Sequence, residues 1–188
     1  MLAAKNILFL LGLVATIFFA SCENDLNEVA LLTKKGKLTP TESSTELNVL
    51  NTDSGKLVFR LKAPLMDHYV IGVEDPYSEF PKGVYIENYG KDNKVKSTMK
   101  ADYAIRYEKT KKMEAKQHIV IVNENGETLT TEHLIWNEET KKIKSDTYVE
   151  IKTKKEIIKG TGMEANEDFT EWEILNVTGT IPLPDEEK

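Results

Sequence analysis

Three histidines, His68, His118 and His133, and one cysteine, Cys22, are the side chains this 188-residue chain would use for nucleophilic, general-base or metal chemistry. Their spacing supports none of it. Zinc catalysis places two histidines one helical turn apart, as in His-Glu-x-x-His, and acyl transfer places a serine on a Gly-x-Ser-x-Gly turn; neither pattern occurs, nor does a phosphate-binding or dinucleotide glycine loop. Asp67-His68 lies near Pro64, and Glu132-His133 enters a segment of strand character, where successive side chains point to opposite faces and do not grip one ion. Each histidine therefore reads as a surface or rim residue. Gly160-Thr161-Gly162 is too short for a phosphate loop and reads as a bulge or a close approach of backbones. A lone cysteine excludes an intrachain disulfide framework and any cysteine-based zinc or iron–sulfur site. With 25 Lys+Arg against 31 Asp+Glu and a formal charge of -6, no stretch is basic enough to follow a nucleic acid backbone. No catalytic residue, metal or cofactor is implied, and the chain is not expected to be an enzyme.

Cys22 carries a different chemistry. It follows an apolar run from Ile7 to Ala20 whose roughly fourteen residues span about 21 Å as a helix, short of a bilayer's hydrocarbon core of about 30 Å. Such a run is a signal-peptide core more readily than a spanning helix. Phe19-Ala20-Ser21-Cys22 resembles the lipobox of bacterial lipoproteins, in which small residues precede a cysteine that receives lipid on sulfur and becomes the mature N-terminus. The expected organisation is a signal peptide over 1–21, a lipid-anchored polar tether over 22–44, one folded domain over 45–182 and an acidic tail over 183–188. Several acyl chains on one residue anchor stably, so the mature chain would work beside a membrane.

The folded part is dominated by period two. Leu57, Phe59, Leu61 and Ala63 alternate with Val58, Arg60 and Lys62, and Pro64 is expected to end that strand. Similar alternation recurs at Val84/Ile86, Tyr103/Ile105/Tyr107, Ile119/Ile121, Leu134/Trp136, Val149/Ile151 and Ile174 to Ile181. Short turn signals separate these runs, among them Asp53-Ser54-Gly55 and Asn125-Gly126, the latter a two-residue hairpin signal. Long helical patterns are absent, so the fold is all-β and antiparallel. The second half also repeats: Tyr107 to Met113 matches Asn137 to Ile143 through a shared Thr-Lys-Lys, and the same offset sets Ile119 over Val149 and Ile121 over Ile151. Hairpins that stack in this way extend one apolar face, as a β-solenoid-like or jelly-roll arrangement; an ordinary sandwich with hairpins of matching length is the alternative.

That apolar face is the candidate site. Phe59, Leu61, Phe80, Ile86, Tyr103, Ile105, Ile119, Ile121, Leu134, Trp136, Val149 and Ile151 are expected to line it. No helices cover it, so the sheet either closes on itself as core or leaves an open apolar groove suited to acyl chains. Lys111-Lys112 and Lys141-Lys142 would form a row of cations along one rim, facing phosphate or guarding the edge against aggregation.

A set of ordered segments resembles the LptC family of lipopolysaccharide export proteins. They are Asp53-Ser54-Gly55-Lys56-Leu57, Leu61 to Pro64, Glu79 to Val84, Ala101 to Ala104, Asn125-Gly126-Glu127, Thr131 to Leu134, Ser145-Asp146 and Ile158 to Ala165. The resemblance implies a twisted LptA-like jellyroll and a non-enzymatic relay. Such a protein receives lipopolysaccharide from an inner-membrane ABC transporter, holds its acyl chains inside the jellyroll, and passes it to an LptA-like periplasmic bridge protein. It places the permease subunits at an edge near Thr45 to Asn51, with Leu47 and Val49, and the bridge protein at an edge near Leu175 to Ile181, with Val177 and Ile181. The implied location is the periplasmic face of the inner membrane. The chain departs from the family pattern in having Cys22 as a lipid anchor where better-known members keep a transmembrane helix. An outer-membrane or surface lipoprotein that binds a protein or glycan through its exposed face is the other reading.

Overall fold

The computed structural model describes residues 38–183, so the apolar run, Cys22, most of the expected tether and the acidic tail lie outside the described residues. Eleven strands form one antiparallel sheet: β1 (Glu42–Asp53), β2 (Lys56–Tyr69), β3 (Tyr77–Phe80), β4 (Val84–Tyr89), β5 (Val95–Ala101), β6 (Tyr103–Tyr107), β7 (Lys112–Asn123), β8 (Thr128–Asn137), β9 (Lys142–Lys152), β10 (Glu156–Asn166) and β11 (Trp172–Pro182). The described residues form the all-β antiparallel sheet expected from period two, consistent with the expected jellyroll.

The path is a meander. β3 and β4 pair with successive stretches of β2, Asp67–Tyr69 and then Phe59–Lys62, so they form one line. β5 and β6 lie end to end along β7 in the same way. Local contacts of this kind require only short loops, which suits a chain whose signals are alternation and turns.

Each long line is interrupted at the same level. Glu46 on β1 takes φ 53 opposite Pro64, which has no N–H to donate to the ladder. Pro81 to Gly83 separates β3 from β4, and Asp102 separates β5 from β6. Gln117 and His118 on β7 take φ 66 and φ 48. Registers shift at Thr131/Ile135 between β8 and β9 and at Thr161/Met163 between β10 and β9. Bulges bend strands, and bulges aligned across neighbouring strands crease the sheet. The crease folds the sheet into two walls whose inner faces meet, since Leu61, Ile86 and Ile121 from one side share a single core cluster with Phe80, Leu134 and Ile143 from the other.

Three expectations are corrected. Pro64 does not end its strand; β2 runs on to Tyr69 because the proline sits at the crease, where the ladder is already interrupted. The first strand begins at Glu42, inside the expected tether, because Glu42, Ser43 and Ser44 pair with His68, Asp67 and Met66. Asn125-Gly126 is not a two-residue turn. Gly126 alone has positive φ, 81, and Asn123 N–H bonds the Glu127 carbonyl at 3.1 Å to close a longer loop. Ser54-Gly55, by contrast, is a two-residue turn with both φ values positive, 51 and 79, between the paired Asp53 and Lys56.

The internal repeat is structural. Lys111 and Lys141 adopt the same left-handed turn conformation, φ 51 and φ 54. Met113 and Ile143, Ile119 and Val149, and Ile121 and Ile151 occupy matching buried positions, each no more than 5% exposed.

Candidate functional site

The inner face of the first wall is a continuous apolar row. Leu61 faces Ile86, Ile86 faces Met99, Met99 faces Ile121, Ile121 faces Leu129, Leu129 faces Ile151, and Ile151 faces Ile158, from β2 to β10. The second wall carries Phe80, Ala104, Ala115 and Leu134 in one row, and Met113, Trp136, Ile143, Ala165 and Trp172 in another. Each large side chain buried here contributes about 1.5–3 kcal/mol.

Of the expected lining residues, Leu61, Phe80, Ile86, Ile119, Ile121, Leu134, Val149 and Ile151 are buried inside, and Phe59 and Trp136 pack against them half-buried. Tyr103 and Ile105 are corrections. Ala104 is the inward residue of β6, fully buried and paired with Phe80 and Ala115. Tyr103 and Ile105 lie on the opposite face, across from Lys116, Glu79 and Glu114, and the Tyr103 hydroxyl donates to Glu79 at 2.9 Å. Burial and the Glu79 carboxylate hold the Tyr103 phenol far above its usual range.

The interior is filled by the protein's own side chains and does not form an open trough. Between the walls, Ile86, Met99, Ile121, Leu134, Trp136 and Ile143 leave only about 30 Å³, room for about one water-sized group. The indole N–H of Trp136 is buried there without a partner among the described residues.

What closes the mouth, the side of the fold away from the crease, is the loop from β10 to β11. Phe169 on this loop is 0% exposed and stacks on Trp172 at 6.3 Å. The loop ties to both walls. Asn123 Nδ2, at the tip of the first, donates to the Phe169 carbonyl at 2.8 Å, and Trp172 Nε1 donates to Glu127 at 3.2 Å. Lys141, at the tip of the second, donates to Glu167 at 3.0 Å. Sequence reasoning missed Phe169, because it stands alone in a polar turn, Asn-Glu-Asp-Phe-Thr-Glu, with no periodic partner.

The lysine row exists. Asn137 on β8 pairs with Lys112 on one side and Lys142 on the other, so the two Thr-Lys-Lys turns end at one rim.

The apolar row reaches the β1 edge uncovered, and the neighbouring inward row of Ile119, Thr131, Val149 and Gly160 reaches the β11 edge uncovered. Val49 on β1 faces Leu61 and is 41% exposed; Val177 on β11 faces Gly160 and is 58% exposed. Leu47, which faces Ala63, packs on the core, and Ile181, which faces Ile157, is exposed. Neither β1 nor β11 has a second strand neighbour among the described residues, so each presents an unpaired edge.

His118 and His133 sit on the outer surface, whereas His68 pairs with Ser78 on the same face of the second wall as Phe80 and lies half-buried at its rim, 3.2 Å from the Ser78 hydroxyl. His133 lies between Asp146, 2.7 Å from Nδ1, and Glu114, 2.8 Å from Nε2, and hydrogen bonding to Asp146 holds its imidazolium above the ordinary range. His118 is held up by Asp102 at 2.7 Å in the same way. No group of side chains among the described residues is arranged to hold a metal ion. Gly160 lies where a Cβ would meet the Ile174 side chain and, at 2.5 Å, the Asn176 carbonyl oxygen, so Gly160-Thr161-Gly162 is a close backbone approach.

Residues 7–181 match the LptC family, described as lipopolysaccharide-assembly, LptC-related. No curated protein matches the chain.

Proposed function

Because the chain belongs to the LptC-related family of lipopolysaccharide-assembly proteins, we propose that it is the link that accepts lipopolysaccharide from the permease subunits of an inner-membrane ABC transporter and hands it to an LptA-like periplasmic bridge protein. The family's work is lipopolysaccharide transport, on the periplasmic side of the inner membrane. In this reading Cys22 carries the lipid anchor and no chemistry is catalysed.

The observation that carries the reading is the inward apolar surface that crosses the sheet from β2 to β10: one row continues from Leu61 onto exposed Val49 at the β1 edge, and the neighbouring row of Ile119, Val149 and Gly160 continues onto exposed Val177 at the β11 edge. A twelve-carbon chain costs about 9 kcal/mol to bring into water, at about 0.8 per methylene. A sheath continued through edge pairing with a neighbour avoids that cost and satisfies the unpaired backbone groups at the same time. β1, with Leu47 and Val49, is assigned to the transporter, and β11, with Val177 and Ile181, to the bridge. Loading requires that the filled interior open, and Phe169 is the core side chain held by a loop and not by a strand.

The test is in-cell photocrosslinking from Val49 and from Val177, with the captured proteins identified. The reading expects a transporter permease from Val49 and a soluble periplasmic protein from Val177. An outer-membrane protein captured from both edges, with the lipidated chain fractionating to that membrane, supports the surface-lipoprotein reading instead.

A further inference from the structure

The β10–β11 loop sits in the mouth as a ligand would. It presents one apolar group to the interior, Phe169 with 0% exposure, and one anion to a rim cation, Glu167 on Lys141 at 3.0 Å. Glu167 also lines the small hollow between the walls, so the loop roofs that space directly. We propose that this loop is a self-ligand, displaced by a phosphate-bearing acylated ligand whose phosphate takes Lys141 from Glu167 and whose chain enters where Phe169 withdraws. The proposal rests on the lipid-carrying reading above and names the rim subsite and the trigger that opens it.

Three features make this loop the part of the core that leaves most easily. Phe169 holds φ 53, a left-handed conformation unfavourable for a bulky residue, and release from the mouth relaxes it. Burial raises the carboxyl of Asp168 above its usual range, and adjacent Glu167 adds to it, with Glu124 across the mouth also repelling and Lys141 and Lys96 opposing; release frees that group to water. The latch itself is an ion pair on a lysine 69% exposed, and such pairs exchange readily. A phosphate offers more charge and more acceptor oxygens than one carboxylate, so it competes well for the same ammonium. On either side of the crease the walls are held by strand ladders, whereas Phe169 is held by a loop.

The experiment uses the purified full chain in detergent with a photoreactive residue at Ile121. The probes are bisphosphorylated lipid A, the same lipid A dephosphorylated, and inorganic phosphate. Glu167→Gln loosens the latch and leaves Lys141 free, so it should bind phosphorylated lipid A about threefold or more tighter and raise adducts at position 121, with little gain on the dephosphorylated lipid. Lys141→Gln loosens the same latch but removes the cation, and should lose the preference for the phosphorylated form. Phe169→Ala should improve binding of both lipids, whereas a merely structural phenylalanine would weaken both. Unchanged or weaker binding by Glu167→Gln, with adducts at position 121 still forming, overturns the self-ligand and leaves the carrier reading intact. Absence of adducts from every variant overturns both. A change in Trp172 fluorescence driven equally by inorganic phosphate alone would assign the subsite to free phosphate and overturn the headgroup trigger.

Discussion

Asn123, in the turn that ends β7, donates from Nδ2 to the carbonyl oxygen of Phe169, 46 positions away, at 2.8 Å. This bond crosses the mouth between the two walls and seats the phenylalanine. Truncating Phe169 to alanine should lower unfolding free energy by about 3–5 kcal/mol, and Asn123→Ala by about 1–3 kcal/mol through the carbonyl left unpaired. Urea denaturation measures both, and the two losses should be less than additive because they act on one loop.

Gly160 and Gly179 give a contrasting pair. A Cβ at Gly160 meets Ile174 and the Asn176 carbonyl, whereas one at Gly179 meets nothing within 4 Å. Gly160→Val should destabilise by about 1–3 kcal/mol and loosen β11, seen as faster amide exchange along Trp172–Pro182, while Gly179→Ala should stay within about 0.5 kcal/mol of the parent.

The inward position on β6 is testable by size. Ala104→Leu should destabilise by about 1–3 kcal/mol, because Phe80 and Ala115 leave no space, and Ile105→Thr, on the outer face, should cost less than that. Equal or reversed losses would put the register of this strand in error.

His133 makes stability depend on pH. Its bonds to Asp146 and Glu114 raise its affinity for a proton in the folded state, so its contribution is fully present below the unfolded value of 6.5 and fades as pH rises through the elevated folded value. Asp146 and Glu114 are lowered, so their contributions fade as pH falls through the carboxylate range. His133→Gln should therefore lower the melting temperature at pH 5.5 and leave it nearly unchanged at pH 9.5. A larger loss at pH 9.5 would contradict the assignment.

Much of this architecture was legible in the chain. Period-two alternation and the repeated Thr-Lys-Lys pointed to the all-β class, the stacked hairpins of the second half and the rim on which Lys112 and Lys142 meet. The crease was not legible, because bulges leave no signature in hydropathy beyond isolated residues such as Pro64, Gly83 and Gly162, and each bulge can reset which residues face inward. Tyr103 and Ile105 were misplaced for that reason: alternation was read from the large side chains, while the interior beside Phe80 accepts only the methyl of Ala104. The filled interior was out of reach too. It depends on Phe169, whose burial arises from a contact with Asn123 that nothing nearby in the sequence announces.

The central claim is that acyl chains travel along the inner face of the sheet, and adjacent residues on β7 test it most directly. Ile121 points inward and is 2% exposed, while Val120 lies on the outer face, paired with Lys100 and Thr130. Photocrosslinking residues placed singly at these two positions in cells making lipopolysaccharide should give lipid adducts at 121 and none at 120. Adducts at 120 alone, or equal adducts at both, would contradict transport through the interior.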